Sequence, residues 1–377
     1  MRSHARRCAS ARTSRLTGLA FLTLIWACSS PAQSPQNAPP PVKITNDGSV
    51  EVPAHVVPMS NLLSPEGKAY VTEHLLNMQH PEMLAQKDGI PVLLVGYLER
   101  QRALFAVDRR DVTLGGVHAW DYTPKEGVPA NNRNRVLINL HGGGFMGCWP
   151  ACAELESIPV SALGRIRVVS LEYRQGPKYK FPAASEDVAS AYRELLKTYR
   201  PENIGIYGCS AGGMLTGMAV AWFQQHGLPR PGAVGILCAG MTLAANGFGG
   251  DAAYTSAAIG ESRAPPPPTT SSKANVPLAY FEGAHMTDPL VAPASSPEVL
   301  AKFPPTLIVT GTRAFEQSSA VYTHSLLVKH GVESELHVWE GMFHGFFYNV
   351  DVPESRDCYD VIVKFFDKHL GRKNAAR

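Results

Sequence analysis

The chain has 377 residues, of which 45% are hydrophobic and 18% are charged, an ordinary composition for a globular protein. Its formal charge is +3, but five of its 35 basic residues stand in the first 27 positions without acidic neighbours, and the other 30 face 32 acidic residues, a net charge of −2. This balance gives no electrostatic support to a nucleic-acid partner, and the length allows a large core.

The N-terminus is typical of a secretory signal peptide over residues 1–27. An arginine-rich start precedes the apolar run Leu16–Trp26, which is too short for a comfortable membrane span, so a retained anchor is the weaker interpretation. Residues 25–28 (IWAC) resemble a lipobox, whose Cys28 would carry a lipid anchor, and a competing cleavage site follows Ala32. We therefore expect export to the periplasm or the medium. Residues 28–42, rich in Pro, Ser and Gln, predict a disordered tether.

Residues 43–377 form the predicted globular domain. Helix-like stretches come first, at Glu66–Asn77 and Leu93–Val107. Short Val- and Ile-rich runs then alternate with helix-like segments, which predicts βα units, a mostly parallel sheet flanked by helices and an α/β fold. The predicted strands are Val136–Leu140, Val168–Leu171, Ile204–Tyr207, Val234–Cys238, Thr306–Val309 and Leu336–Val338. The predicted helices between and after them are Ala184–Thr198, Met214–Gln225, Ser318–His330 and Arg356–His369.

One long segment interrupts this alternation. Residues 239–284 are rich in Gly, Ala and Ser, contain Pro265–Pro268 and show no helical or strand period. Such a stretch inside a compact domain is unusual for a plain loop, so it is interpreted as a lid or cap element.

Two of the seven cysteines, Cys148 and Cys152, are separated by three residues. They are either a disulfide or two buried thiols, and the sequence leaves both open. No spacing of Cys and His is typical of a metal site, so no metal is expected.

The candidate nucleophile is Ser210. The predicted strand that ends near Tyr207 runs into GCSAGG (208–213), and a helical pattern follows. This is G-x-S-x-G in its required context of strand, sharp turn and helix, where small neighbours permit a strained serine backbone. A glycine-rich packing turn is the alternative, because the motif also arises by chance.

A second glycine-rich stretch, HGGGF (141–145), directly follows the strand Val136–Leu140. An acyl-transfer serine needs N–H donors for the oxyanion of its tetrahedral intermediate, and bare glycine backbone, together with the N–H of Ala211, can supply them. A flexible turn or a phosphate cradle are the alternatives, but no phosphate-binding motif accompanies the glycines. His141 is expected to hold this loop by hydrogen bonding and not to act as a base.

Seven short segments follow one another along the chain in a characteristic order: HGGGF, Tyr173-Arg174, FPAA (181–184), GCSAGG, Asp288-Pro289, PPTLIVTGTR (304–313) and GMFHGF (341–346). Over residues 110–370 the chain resembles the hormone-sensitive-lipase-like family of α/β-hydrolases. The resemblance implies a carboxylic-ester hydrolase without a cofactor, a helical cap built from about 43–105 and 239–284, and an oxyanion hole of Gly143, Gly144 and Ala211.

The base predicted for Ser210 is His344, which follows the last strand and precedes the last helix. The acid is where the sequence departs from the family, which usually carries Asp in a G-x-x-D pattern; here Ala314 follows Gly311-Thr312-Arg313. Glu316 is the first candidate for the acid, Asp288 is its rival, and a Ser–His dyad without an acid is the third interpretation.

The expected function is therefore that of an exported serine esterase acting on small or short-chain acyl esters through an acyl-enzyme. A lactonase, amidase or thioesterase would use the same groups. The absent Asp also leaves open a non-catalytic ligand-binding protein on the same fold. Apart from a lipid on Cys28, no membrane attachment is expected.

Overall fold

The computed structural model describes residues 42–87, 90–243, 248–262 and 278–371. The predicted signal peptide, Cys28, the predicted tether up to residue 41 and Pro265–Pro268 lie outside the described residues. Among the residues that are described, no helix combines the length and the apolar composition needed to cross a bilayer.

The described residues divide into two compact units, one that ends at residue 56 and one that begins at residue 57. In the first unit, strand β1 (Lys43–Ile44) pairs antiparallel with β2 (Val50–Glu51). Lys43 Nζ donates to Glu51 Oε1 at 2.7 Å across this hairpin.

The second unit begins with helix α1 (Pro65–Asn77), the short antiparallel strands β3 (Gln86–Lys87) and β4 (Ile90–Pro91), and helix α2 (Val92–Leu104). The remaining strands and helices follow: β5 (Val107–Leu114), β6 (Val117–Pro124), β7 (Val136–Leu140), α3 (Ala151–Gly164), β8 (Arg167–Leu171), α4 (Ala183–Leu195), β9 (Ile204–Cys209), α5 (Ala211–Gln225), β10 (Ala233–Leu237), α6 (Ala252–Ala258), α7 (Pro297–Leu300), β11 (Thr306–Gly311), α8 (Gln317–Lys329), β12 (Ser334–Trp339) and α9 (Pro353–His369).

Within the described ranges, β5 to β12 form one sheet in the order β12-β11-β10-β9-β7-β8-β6-β5. The six strands from β12 to β8 run parallel, which confirms the predicted α/β architecture, and β5 and β6 add an antiparallel edge. This edge hairpin was not predicted from the sequence, and the helix predicted over Leu93–Val107 ends earlier, at Leu104. Strand β5 (VDRRDVTL) is mostly exposed, so it lacks the apolar run that marks the buried strands.

Strand residues alternate between two packed layers. Ile138 and Leu140 face the cluster that contains α4 and α5, whereas Leu137 faces the cluster that contains α3 and α9. Both faces of the central strands are therefore buried, and the carboxyl ends of the parallel strands meet at one edge of the sheet.

Helix α3 is a second element that the sequence analysis missed. It follows the glycine loop, contains Pro159 and is buried over Ala151–Ser161. A proline inside a helix removes one backbone donor, and this obscured the helical pattern. Two carboxylates on α3, Glu154 and Glu156, are 2% and 1% exposed.

The turn between β9 and α5 packs directly on the end of β7. A Cβ added at Gly212 would lie 1.6 Å from the Leu140 carbonyl oxygen, and one added at Gly208 would lie 2.2 Å from the same atom. Since no side chain fits at these distances, the two glycines of G-x-S-x-G are required by the contact between the strands.

Gly212→Ala is expected to lower the free energy of unfolding by about 3 kcal/mol or more, because the new methyl group must push the two strand ends apart. Gly96→Ala is the matched control: Gly96 lies inside α2 with open space around it, so the same substitution should raise stability by about 0.5–1 kcal/mol. Urea unfolding of both variants measures this. Equal stability of the two variants would contradict the contact.

Candidate active site

Ser210 lies at the junction of β9 and α5. Its backbone has φ 56° and ψ −119°, a left-handed conformation that is uncommon for a residue other than glycine. The strand and the helix on either side hold this turn, and Ser210 N donates to Leu237 O at 2.8 Å. The side chain stands at the N-terminus of a 15-residue helix, where a developing negative charge is favoured.

The glycine loop lies beside Ser210. Gly143 has φ +120° and Gly144 has φ +63°, so both adopt backbone conformations that favour glycine. Gly142, Gly143, Gly144 and Ser210 line the same cavity. The N–H groups of Gly143, Gly144 and Ala211 donate to no acceptor among the described residues, so they are available to a ligand.

His141 braces the glycine loop and is not positioned as a base. It is fully buried, its Nδ1 donates to Gly142 O at 2.6 Å, and Tyr173 OH donates to its carbonyl oxygen at 2.6 Å. Burial lowers the pKa of His141 to about 4, against a smaller raising effect of the hydrogen bond to Gly142. The ring therefore stays neutral and holds the loop, as its position in the motif predicted.

His344 follows β12 and borders the same cavity. Its Nδ1 donates to Glu316 Oε2 at 2.8 Å, and Thr310 Oγ1 donates to the other carboxylate oxygen at 3.0 Å. Glu316 is fully buried. Burial alone would lower the pKa of His344, but the charge and the hydrogen bond of Glu316 outweigh it and raise this pKa to about 9.

The two carboxylates considered for the acid lie in different surroundings. Glu316 contacts the imidazole, whereas Asp288 Oδ1 accepts from Leu290 N at 2.9 Å within its own turn. Ala314, at the position where the family carries Asp, is 1% exposed. The structure thus brings Glu316, two residues further on, to the ring nitrogen of His344.

Glu261 is a further carboxylate at this site, and the sequence analysis missed it. It is 3% exposed, its Oε1 accepts from His344 N at 3.1 Å, and its Oε2 contacts His74 Nε2 at 2.6 Å. The His74 ring in turn stacks on Phe343, with 3.6 Å between centroids. Residue 261 stands in the segment without a helical or strand period, so no pattern marked it.

The cavity beside Ser210 has a volume of about 390 Å³, within the range of small-molecule sites. Part of its wall comes from α1, α2 and the residues between them, and this part is mostly aromatic or aliphatic. These residues are Tyr70, His74, Asn77, Met78, Pro91, Leu93, Leu94 and Tyr97. An apolar wall with few polar groups suits the non-polar part of a small ligand.

The question left open for Cys148 and Cys152 is decided by the structure, in which the two form a disulfide. Cys152 borders the cavity, and a Cβ added at Gly143 would lie 2.7 Å from Cys148 Cβ. The disulfide therefore packs against the glycine loop and ties its end to the start of α3.

A family model described as alpha/beta hydrolase fold matches residues 137–348, more than half of the chain. The chain belongs to this family. The matched range contains the glycine loop, Ser210, Glu316 and His344.

Known proteins agree with this assignment. An acetyl-hydrolase of Streptomyces hygroscopicus is 30% identical over 246 residues, which cover 64% of this chain and 79% of the relative. The crystal structure of an esterase, E25, matches with 26% identity and a TM-score of 0.70, over 85% of this chain and 99% of the other. An esterase from the bacterial hormone-sensitive lipase family matches with 25% identity and a TM-score of 0.66, over 82% and 99%. The resemblance drawn from the motifs is confirmed, and this α/β-hydrolase is of the esterase type.

The ion pair of His344 and Glu316 is expected to make the stability of the hydrolase depend on pH. Because the folded pKa of His344 is raised from 6.5 to about 9, its stabilising contribution is fully present below pH 6.5 and is lost as the pH rises through about 9. The size of the shift corresponds to about 3 kcal/mol.

Urea unfolding of the wild type and Glu316→Gln at a series of pH values tests this. The difference in unfolding free energy should be largest below pH 6.5 and should narrow towards about pH 9. The comparison between the two proteins cancels groups that titrate in both. Parallel curves over this window would show that Glu316 does not raise the pKa of His344.

Proposed function

We propose that the protein is a serine carboxylesterase in which Ser210, His344 and Glu316 act together. The observation that carries the proposal is the 2.8 Å hydrogen bond from His344 Nδ1 to buried Glu316, beside a cavity that Ser210 and the glycine loop also line. In the neutral ring, this bond keeps the proton on Nδ1 and leaves Nε2 free to accept one, the requirement for a general base.

The reaction proceeds in two displacements. Ser210 Oγ attacks the ester carbonyl carbon while His344 Nε2 takes the hydroxyl proton, and the carbonyl oxygen becomes an oxyanion held by the N–H groups of Gly143, Gly144 and Ala211. The intermediate collapses, the bond to the alcohol breaks, and His344 returns its proton to the leaving alkoxide. Water then attacks the acyl-enzyme with His344 again as base, which releases the acid and regenerates Ser210.

Glu316 weakens the case for the non-catalytic alternative. That alternative arose from Ala314, which cannot orient an imidazole, and a longer carboxylate from the same loop performs this task in its place. The acyl chemistry is shared by lactones, amides and thioesters, and the relatives named esterase and acetyl-hydrolase favour esters.

For the substrate we propose short acyl groups, acetyl above all. The support is the apolar wall that α1 and α2 place over Ser210 and the relative named acetyl-hydrolase. We propose that α1, α2 and the segment that carries Glu261 act as the cap, since Glu261 joins His74 of α1 to the backbone of His344.

We also propose that the protein is exported. The support is the Arg-rich and apolar N-terminus, together with the Cys148–Cys152 disulfide, which suits an oxidising compartment. A lipid on Cys28 remains part of this proposal, and palmitate labelling of the wild type and Cys28→Ala in a bacterial host tests it.

Ser210→Ala should reduce the hydrolysis of p-nitrophenyl acetate by about 10⁶-fold, because it removes the nucleophile. Glu316→Gln should reduce kcat by about 10⁴-fold, because the imidazole loses its orienting charge. Asp288→Asn is the control and should leave kcat within about threefold of the wild type, since its carboxylate serves a local turn. Serine-independent turnover would refute the enzyme assignment. A loss in Asp288→Asn, with none in Glu316→Gln, would transfer the role of acid to Asp288.

The acyl preference is tested with p-nitrophenyl esters of increasing chain length. We expect kcat/KM to be highest for acetate and butyrate and to fall by about 10²-fold or more for palmitate, because the long chain cannot be covered by the apolar wall. Leu94→Ala should reduce this selectivity by enlarging the cavity, whereas Leu104→Ala, at an exposed position of the same helix, should not. A profile that rises with chain length would contradict the short-chain proposal.

A further inference from the structure

A buried carboxylate beneath the site, Glu156 on α3, is used by no step of the reaction. It is 1% exposed and accepts four hydrogen bonds. Oε1 accepts from Gly142 N at 2.8 Å and from Tyr348 OH at 2.9 Å. Oε2 accepts from Asn139 Nδ2 at 2.9 Å and from Cys209 N at 3.2 Å.

Three of these donors come from the three segments that carry the reacting groups. Gly142 directly precedes the oxyanion glycines, Cys209 directly precedes Ser210, and Tyr348 follows His344 by four residues. One carboxylate therefore connects the oxyanion loop, the nucleophile turn and the segment of the base. Hydrogen bonds to a charged acceptor are stronger than neutral ones, so this connection is rigid.

The four donors around Glu156 require that both of its carboxylate oxygens act as acceptors. Two partners are backbone N–H groups, and the Asn139 amide is oriented with its nitrogen towards Glu156 because Ser170 Oγ donates to its Oδ1 at 2.6 Å. A glutamine at 156 would place its NH₂ group against Gly142 N–H in one orientation and against Cys209 N–H in the other. Only a carboxylate accepts from all of these donors.

The backbone of α3 is itself fixed at this point. Tyr207 OH donates to Glu156 O at 2.8 Å, and Tyr359 OH donates to Leu155 O at 3.1 Å. Burial raises the pKa of Glu156 to about 7, against the lowering effect of its hydrogen bonds, so the carboxylate that accepts from all four donors predominates above about pH 7.

We propose that Glu156 is a positioning residue of the active site. It contacts no substrate, and its carboxylate sets the distances between the oxyanion glycines, Ser210 and the segment of His344. The proposal rests on the proposed esterase function. Small displacements of reacting groups carry large rate penalties, so the residue contributes to kcat through geometry alone.

Glu156→Gln tests the proposal, with Glu154→Gln as the matched control. Glu154 lies on the same helix and is 2% exposed, but it pairs with Arg102 and Arg109, both at 2.6 Å, away from the three segments. With p-nitrophenyl acetate, kcat of Glu156→Gln should fall by about 10²-fold while KM stays within about threefold, and kcat of Glu154→Gln should stay near the wild type. An equal loss in both variants, or a kcat of Glu156→Gln within about twofold of the wild type, overturns the proposal.

Amide hydrogen exchange separates this proposal from the esterase assignment, because it needs no turnover. Peptides that contain Gly142 and Cys209 should exchange about tenfold faster in Glu156→Gln and unchanged in Glu154→Gln. If Ser210→Ala keeps full activity, the esterase proposal fails and exchange alone decides the role of Glu156. If Glu156→Gln does not fold, Tyr348→Phe removes one of the four donors; faster exchange at Gly142 then supports the role, and unchanged exchange overturns it.

Discussion

The candidate active site depends on the close approach of the end of β7 to the turn between β9 and α5. Neither Gly208 nor Gly212 leaves room for a Cβ against the Leu140 carbonyl, so the two strand ends meet backbone to backbone. This contact sets the glycine loop, which continues β7, beside Ser210, which directly follows β9. The strained conformation of Ser210 persists because strand, helix and neighbouring loop all fix it.

Three buried carboxylates lie near this backbone contact, and each accepts hydrogen bonds from a different part of the surrounding segments. Glu316 orients the ring of His344, Glu261 accepts from its backbone N–H, and Glu156 accepts from the residues that precede the glycines and the serine. Each is at most 3% exposed. Buried charge is costly unless it is hydrogen-bonded, and here the hydrogen bonds come from the loops of the candidate site. The negative charge of Glu316 and Glu261 also stabilises a protonated His344.

The residues that could be recognised from the sequence are those whose structural role is determined by their immediate neighbours in the chain. The buried parallel strands were found within two residues of their ends because both of their faces are apolar. Ser210, the glycines and His344 became candidates because a strained turn, bare backbone and a position after the last strand each leave a short pattern. The hairpin β5–β6 and helix α3 were missed because a mostly exposed edge strand and a helix that contains Pro159 lack the usual periods.

The sequence by itself therefore determined the α/β fold, the turn that presents Ser210 and the candidates for the base and the oxyanion donors. Only the tertiary structure placed Glu316, and not Asp288, at the ring of His344, joined Cys148 to Cys152, and brought Glu156 and Glu261 beneath and beside the site. The physical reason is that these choices depend on distances between segments far apart in the chain. The sequence around a carboxylate does not indicate which donors it will contact. A glycine that must lie against another backbone, by contrast, belongs to a short pattern that can be recognised in the sequence.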